Sequence, residues 1–376
     1  MKAKFYASSN PAALAATNPH ITVEAEYGDV VVPGSRLTMA HHGPRAGSKC
    51  PASYTAADVY DVGDDCAAWL RSVVVGLSHF DLDTLGGCCA VIDAAAYGYK
   101  PGSGAFWALA EWVDLNGPHR LDEGRGVAAR AALRDLSPKN AAYMDQVLDG
   151  EYHATGQYPV DYGMTVEVDA AIAAIHAFWA WSAANRGPRI GADVVDLTDH
   201  VLAARQVVCD LFPYTSPSDF PEDDPQAAAA EAQWERRAEL LAAGREFMAA
   251  EAQLRASSFV RQRGSVVLRR APAFVNHLYP ASPGAAVIAF NETTGAVTVS
   301  FADGAASPVS AVEVVQSLWG PLAGGHRGIA GSPRGQAMTF ADAEKAFELV
   351  AGPEGCDYHG KWAEAECPDC RRTWEW

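Results

Sequence analysis

The chain has 376 residues, 49% of them hydrophobic and 10% aromatic, which suits a globular protein with room for two cores and excludes a disordered chain. Lys+Arg 29 against Asp+Glu 46 leaves a formal net charge of −17, a surface that repels duplex DNA and anionic membranes. No apolar run approaches the roughly 20 residues of a membrane span, and the first twenty residues lack a signal-peptide pattern, so a cytoplasmic location is expected.

In chain order, "HITVEAEYGDVVVPGSRLTMAHHG" reads as strands with turns at Tyr27-Gly28-Asp29 and Pro33-Gly34. The following "MAHHGPRAGSKCP" carries His41 and His42 with Arg45 and Lys49, and reads as a surface loop with a tolerated histidine pair; the other reading brings the pair to the strand-end site if its strand lies beside the sheet. "TAADVYDVGDDCAAWLR" predicts a helix, "SVVVGLSHF" a strand and "LGGCCAVIDAAAYG" a helix. That βα order recurs with "FWALAEWVDL" and the Ala-rich "VDAAIAAIHAFWAWSAAN". Alternation of this kind predicts an α/β domain around a mostly parallel sheet. "VVDLTDHVL" places Asp196, Asp199 and His200 on one helical face, which is more often solvated than a ligand set.

"LFPYTSPSDFPEDDP" is a proline- and acid-rich loop, followed by an Ala/Glu/Arg-rich helix that joins two domains. From about Gly264 the pattern changes to short β segments, "SVVLRR", "AAVIAFN" and "AVTVSFA", with "NETTGA" as a hairpin turn between the last two. The expected organisation is an α/β domain over 1–224, a connecting helix over 225–262, a smaller α+β domain over 263–350 and a tail over 351–376.

The stretch "SHFDLDTLGG" follows an apolar strand and spaces a histidine and two aspartates two residues apart. In extended chain, His79, Asp81 and Asp83 would face one side, at a strand end where open α/β sheets form ligand crevices. Two carboxylates and an imidazole suit Mn²⁺, Mg²⁺ or Fe²⁺. The competing reading is a helix cap at Asp83 or Thr84 beside a packed histidine. Far along the chain, "LWGPLAGGHRGIAGSPRG" is a Gly-rich loop whose backbone N–H groups, with His326 and Arg327, would cradle an anion.

Together, "HFDLD" and "GGHRGIAG" resemble the paired motifs of the DHH phosphoesterase family, over roughly Arg71 to Gly335. The resemblance implies a two-metal hydrolase whose ions, about 3.5–4 Å apart, activate a water for attack on phosphorus. It implies His79, Asp81 and Asp83 as metal ligands, and Gly324, Gly325, His326 and Arg327 as the substrate loop. The tripeptide that names the family is absent. The nearest substitute in chain order is "EWVDLNGPHRL", with Asp114 as a second-strand carboxylate and His119 as a displaced histidine; an ordinary turn at Asp114 is the other reading. His41-His42 precedes the first motif, in the wrong order for the family's histidine pair. The expected catalytic set is therefore Asp83, Asp114 and His119, with His79, Asp81, Asp83 and Asp114 on the metal.

Eight cysteines show no disulfide framework. Cys356-x₂-His359 and Cys367-x₂-Cys370 in the tail form two ligand pairs that fit one closed structural Zn²⁺. The expected function is a Mn²⁺-, Mg²⁺- or Fe²⁺-dependent phosphoesterase acting on a nucleotide, short oligonucleotide or other small phosphoester. The alternative is a non-catalytic nucleotide-binding or regulatory protein of the same fold. No membrane and no strong duplex-DNA partner are expected, and a homodimer is compatible with the sequence.

Overall fold

The structure is a computed structural model. It describes residues 3–27, 30–45, 47–62, 69–96, 98, 100–136, 165–221, 224–280, 282, 284–302, 307, 309–325, 327–333 and 336–352. The tail ligands Cys356, His359, Cys367 and Cys370, and His326, lie outside the described residues. The chain divides into two compact units, Met1–Met248 and Ala249–Trp376. Among the described residues no helix is long and apolar enough to cross a membrane.

In the first unit, β1 (Lys4–Ala7) leads through α1 (Pro11–Ala15) to β2 (Ile21–Val23). A small ribbon follows, of β3 (Glu26–Tyr27) and β4 (Val30–Val31), and then β5 (Leu37–Met39). After α2 (Ala56–Tyr60) come β6 (Val74–Leu77) and α3 (Leu82–Ala96). The helices α4 (Gly104–Asn116), α5 (Arg125–Leu136) and α6 (Thr165–Ala184) precede the short β7 (Val195–Asp196) and α7 (Thr198–Leu211). The sheet runs β5-β2-β6-β1-β7, parallel except for β7. An α/β unit with a mostly parallel sheet is what the sequence predicts.

Buried on nearly all sides, α3 stands between two apolar clusters. Cys88, Val91 and Ile92 belong with the sheet residues Val23, Val75 and Leu77, whereas Leu85 and Cys89 belong with α4, α5 and α6. Two glycines allow this close approach. A Cβ on Gly86 would lie 2.6 Å from the Cα of Ala52, and one on Gly87 2.7 Å from Val23 Cγ1.

"FWALAEWVDL" is not a strand: it forms most of α4. Ser103 caps that helix by accepting from the Phe106 N–H, and Phe106, Leu109 and Ala110 are buried at helical spacing. A continuous apolar run does not separate a buried strand from a buried helix, and here length and cap decide.

The helix α8 (Pro225–Ser257) contains the division between the units at Met248. The second unit holds β8 (Phe259–Arg263), β9 (Val266–Ala271), β10 (Ala286–Asn291), β11 (Ala296–Phe301), α9 (Ala311–Trp319), β12 (Gly324–Gly325), β13 (Ile329–Gly331) and α10 (Phe340–Ala351). Its mixed sheet is ordered β12-β13-β11-β10-β9-β8, with α9 and α10 sharing an apolar cluster with it. The predicted "NETTGA" hairpin joins β10 to β11: Asn291 Oδ1 accepts from the N–H groups of Thr293 (2.9 Å) and Thr294 (3.0 Å), and Gly295 takes φ +66°.

Candidate metal centre

Three parallel strands end side by side in the first unit, and each delivers acid or imidazole just beyond its last residue. Glu24 follows β2, His41 and His42 follow β5, and the segment 78–83 follows β6. This is the carboxyl edge where parallel sheets bind ligands. Glu24 occupies the left-handed region (φ +49°), which costs a residue with a Cβ about 1–2 kcal/mol. Its backbone is pinned there: the N–H donates to Met39 O at 2.9 Å and the carbonyl accepts from the Ser78 hydroxyl.

His41, 5% exposed, is the hub. Its Nε2 lies 3.1 Å from Asp114 Oδ2, 3.4 Å from Glu24 Oε1 and 3.5 Å from Asp83 Oδ2. All four atoms are buried, and none has a hydrogen-bond partner among the described residues. His42 closes the cluster, with Nε2 3.1 Å from Asp114 Oδ2 and 3.7 Å from Glu24 Oε2, its ring centroid 4.0 Å from that of His41. Its backbone N–H is fixed by Glu26 at 3.1 Å.

Asp83, in the first turn of α3, uses its two oxygens differently. Oδ1 accepts from the Ala52 N–H (2.6 Å) and the Cys50 thiol (2.7 Å), which leaves Oδ2 facing His41. Fixing one oxygen of a carboxylate so that the other can ligate is typical support for a metal site.

The protonation pattern follows from crowding three carboxylates in a buried space. Burial, then the charge of Asp83, pushes Glu24 up to about 9. Burial alone would lower the His41 imidazolium, but Asp114 and Asp83 outweigh it and lift it to about 10. Burial opposes ionisation of Asp114 too, yet His41 and His42 hold it well below the usual carboxylate range. Burial and Asp83 keep the Cys50 thiol protonated.

Glu24, His41 and His42 bring ligand atoms within 4.8 Å of one another, a spacing that could hold a divalent cation. Metal–ligand bonds of about 2.1 Å put neighbouring donors about 3.0 Å apart in an octahedron and about 3.4 Å apart in a tetrahedron. The 3.1–3.5 Å separations around His41 Nε2 have those lengths. Three carboxylates with imidazole suit Mn²⁺, Fe²⁺ or Mg²⁺. Buried polar atoms without hydrogen bonds are costly, and an ion beside His41 would relieve those it reaches.

The expected site residues are distributed unevenly around this centre. Asp83 and Asp114 are in it, although Asp114 sits in the last turn of α4 and not at a strand end. His79, Asp81 and Asp83 do not share one face, because the strand stops at Leu77 and the helix starts at Leu82. Instead, His79 pairs with Asp81 at 3.3 Å, both half-exposed, and Asp81 Oδ1 caps α3 through the Thr84 N–H at 2.9 Å. The cap forecast at Asp83 or Thr84 thus falls to Asp81. Ligand atoms of Glu24, His41 and His42 lie within 4.8 Å of one another, as do those of His41, Cys50 and Asp83; Asp114, which touches His41 and His42, and His119, on the 3-10 turn after α4, are in neither group. His200, partly buried, packs against Phe80 and Trp181.

In the second unit, Gly324 and Gly325 form a short exposed strand against β13. The Arg327 guanidinium donates to the Ser307 carbonyl at 2.5 Å, so it ties down its own loop.

Glu24, His41 and His42 are the members of this cluster that the expected ligand set leaves out. The signal was present: Glu24 directly follows the strand "ITV", and His41 and His42 come just after "LTM" and Ala40, as the 78–83 segment follows β6. Chain order argued against the histidine pair, but β2 lies between β5 and β6 in the sheet and brings the three ends together. No protein-family model, curated protein or solved structure matches the chain.

Proposed function

We propose that this chain is a metal-dependent phosphoesterase acting on a nucleotide, a short oligonucleotide or another small phosphoester. Its cation would be held by His41, Glu24, Asp83, Asp114 and His42. The observation that carries the reading is the convergence of four buried donor atoms without hydrogen-bond partners at the carboxyl edge of a parallel sheet. The resemblance of "HFDLD" and "GGHRGIAG" to phosphoesterase motifs supplies the substrate class.

When bound, a cation of the Mn²⁺ class supplies Lewis acidity and an acidified water. The chain's own residues divide the remaining work. Cys50 and Ala52 orient Asp83, so that ligand needs no rearrangement. His42, with a side chain 44% exposed, is the cluster's opening to solvent, and Asp114 at 3.1 Å orients it. The half-exposed His79–Asp81 pair is within electrostatic reach of Asp114 and Asp83 and can donate to a phosphoryl oxygen.

The test is turnover of a panel of phosphoesters by wild-type protein with Mn²⁺ present. Hydrolysis is expected, and Asp114→Asn should lower kcat by orders of magnitude with little change in KM. A protein that binds Mn²⁺ and nucleotides but hydrolyses none of the panel would instead be the non-catalytic binder.

A further inference from the structure

Oxygen and imidazole donors do not exhaust the ligands around His41. Cys50, 2% exposed, precedes the 3-10 turn Pro51–Ser53, and its Sγ lies 2.7 Å from Asp83 Oδ1. Ligand atoms of His41, Cys50 and Asp83 all fall within 4.8 Å of one another, as do those of Glu24, His41 and His42. The thiol does not stand alone. His41 Nε2 and Asp83 Oδ2, both deeply buried, have no hydrogen-bond partner and face each other at 3.5 Å.

The two triads share His41 and differ in softness. One offers carboxylate and imidazole; the other adds sulfur. We infer that His41, Cys50 and Asp83 form a second, thiophilic coordination option at this centre. A Zn²⁺-class ion would be held there through Cys50 Sγ, while a Mn²⁺-class ion takes only carboxylate and imidazole donors. The choice of donors follows the hardness of the ion. On binding, the Cys50 S–H bond breaks, a sulfur–metal bond forms and the proton leaves to water, while Asp83 Oδ1 keeps the Ala52 N–H. This inference rests on the metal-centre reading above.

The experiment uses the full-length chain carrying Cys356→Ser, Cys367→Ser and Cys370→Ser, which removes the tail thiolates, and Cd²⁺ as probe. Titration should raise the ultraviolet charge-transfer band of a cadmium–thiolate bond, saturating at a single equivalent. Adding Cys50→Ser should abolish the band and weaken Cd²⁺ binding by no less than the roughly ten- to hundredfold that supporting residues of a metal site are worth. Mn²⁺ affinity should stay within a few-fold, because serine retains a donor to Asp83. Cd²⁺ bound without the band, or a band that survives Cys50→Ser, overturns the inference while leaving the metal centre standing if Mn²⁺ still binds. Failure to bind either ion overturns both.

Discussion

Replacing Glu24 by Gln separates the cost of crowding three carboxylates from the gain of binding a cation. Glu24 is 1% exposed and its carboxyl is raised from 4.5 to about 9, so between those values the folded state holds a proton that the unfolded state has lost. Stability of metal-free protein from this group is full below about 4.5 and is lost as pH rises towards about 9. At about 1.36 kcal/mol per unit, moving from about pH 6 to about pH 8.5 removes about 3 kcal/mol from wild type. Gln titrates in neither state and escapes that loss. Urea unfolding in chelator should therefore show Glu24→Gln gaining about 3 kcal/mol on wild type across this interval. Mn²⁺ reverses the ranking: at a hundredfold excess over Kd it adds about 2.7 kcal/mol to wild type and little to the variant, which lacks the charged ligand. Parallel pH profiles for the two proteins would show that Glu24 is not held protonated in the fold, and equal stabilisation by Mn²⁺ that it is not a ligand.

Three further outcomes follow from the same geometry. Gly86→Ala forces a Cβ to within 2.6 Å of the Ala52 backbone, which carries the N–H that holds Asp83; it should cost about 1–3 kcal/mol in denaturant unfolding and weaken Mn²⁺ binding. Asp81→Ala removes the cap on α3 and should cost about 1 kcal/mol, while Asp81→Asn keeps an acceptor for the Thr84 N–H and should recover most of it. In the second unit, Gly325→Val puts a Cβ 2.4 Å from the Ile329 carbonyl and should lower Tm by the equivalent of about 1–3 kcal/mol, with the metal content of the first unit unchanged.

Local rules carried the sequence reading a long way and failed where spatial order departs from chain order. The α/β pattern, the helix Leu82–Ala96 and the Asn291–Gly295 hairpin follow from periodicity and turn chemistry. Asp83 and Asp114 were legible as acids beside apolar segments. Glu24 was not, because one acid after a three-residue strand carries no pattern of its own, and its importance comes from a left-handed backbone that points it inward. The His41-His42 pair was visible but seemed misplaced, since only the insertion of β2 between β5 and β6 brings it to Asp83. The His79-x-Asp81 spacing looked like a ligand set because alternation was extended past Leu77, where the chain has already begun to turn into a helix. Apolar density misled at Asp114 as well, since a buried helix and a buried strand share it.

If His41 anchors a divalent cation beside Glu24, Asp83 and Asp114, the protein's manganese content must depend on it. Wild type, His41→Ala, Asp114→Asn and His119→Ala would each be loaded with Mn²⁺, dialysed against metal-free buffer and measured by elemental analysis, with far-ultraviolet circular dichroism to confirm folding. Wild type and His119→Ala should retain manganese in equal stoichiometry, and His41→Ala and Asp114→Asn should lose it. A folded His41→Ala protein that keeps the wild-type manganese content would mean that the cation is held elsewhere.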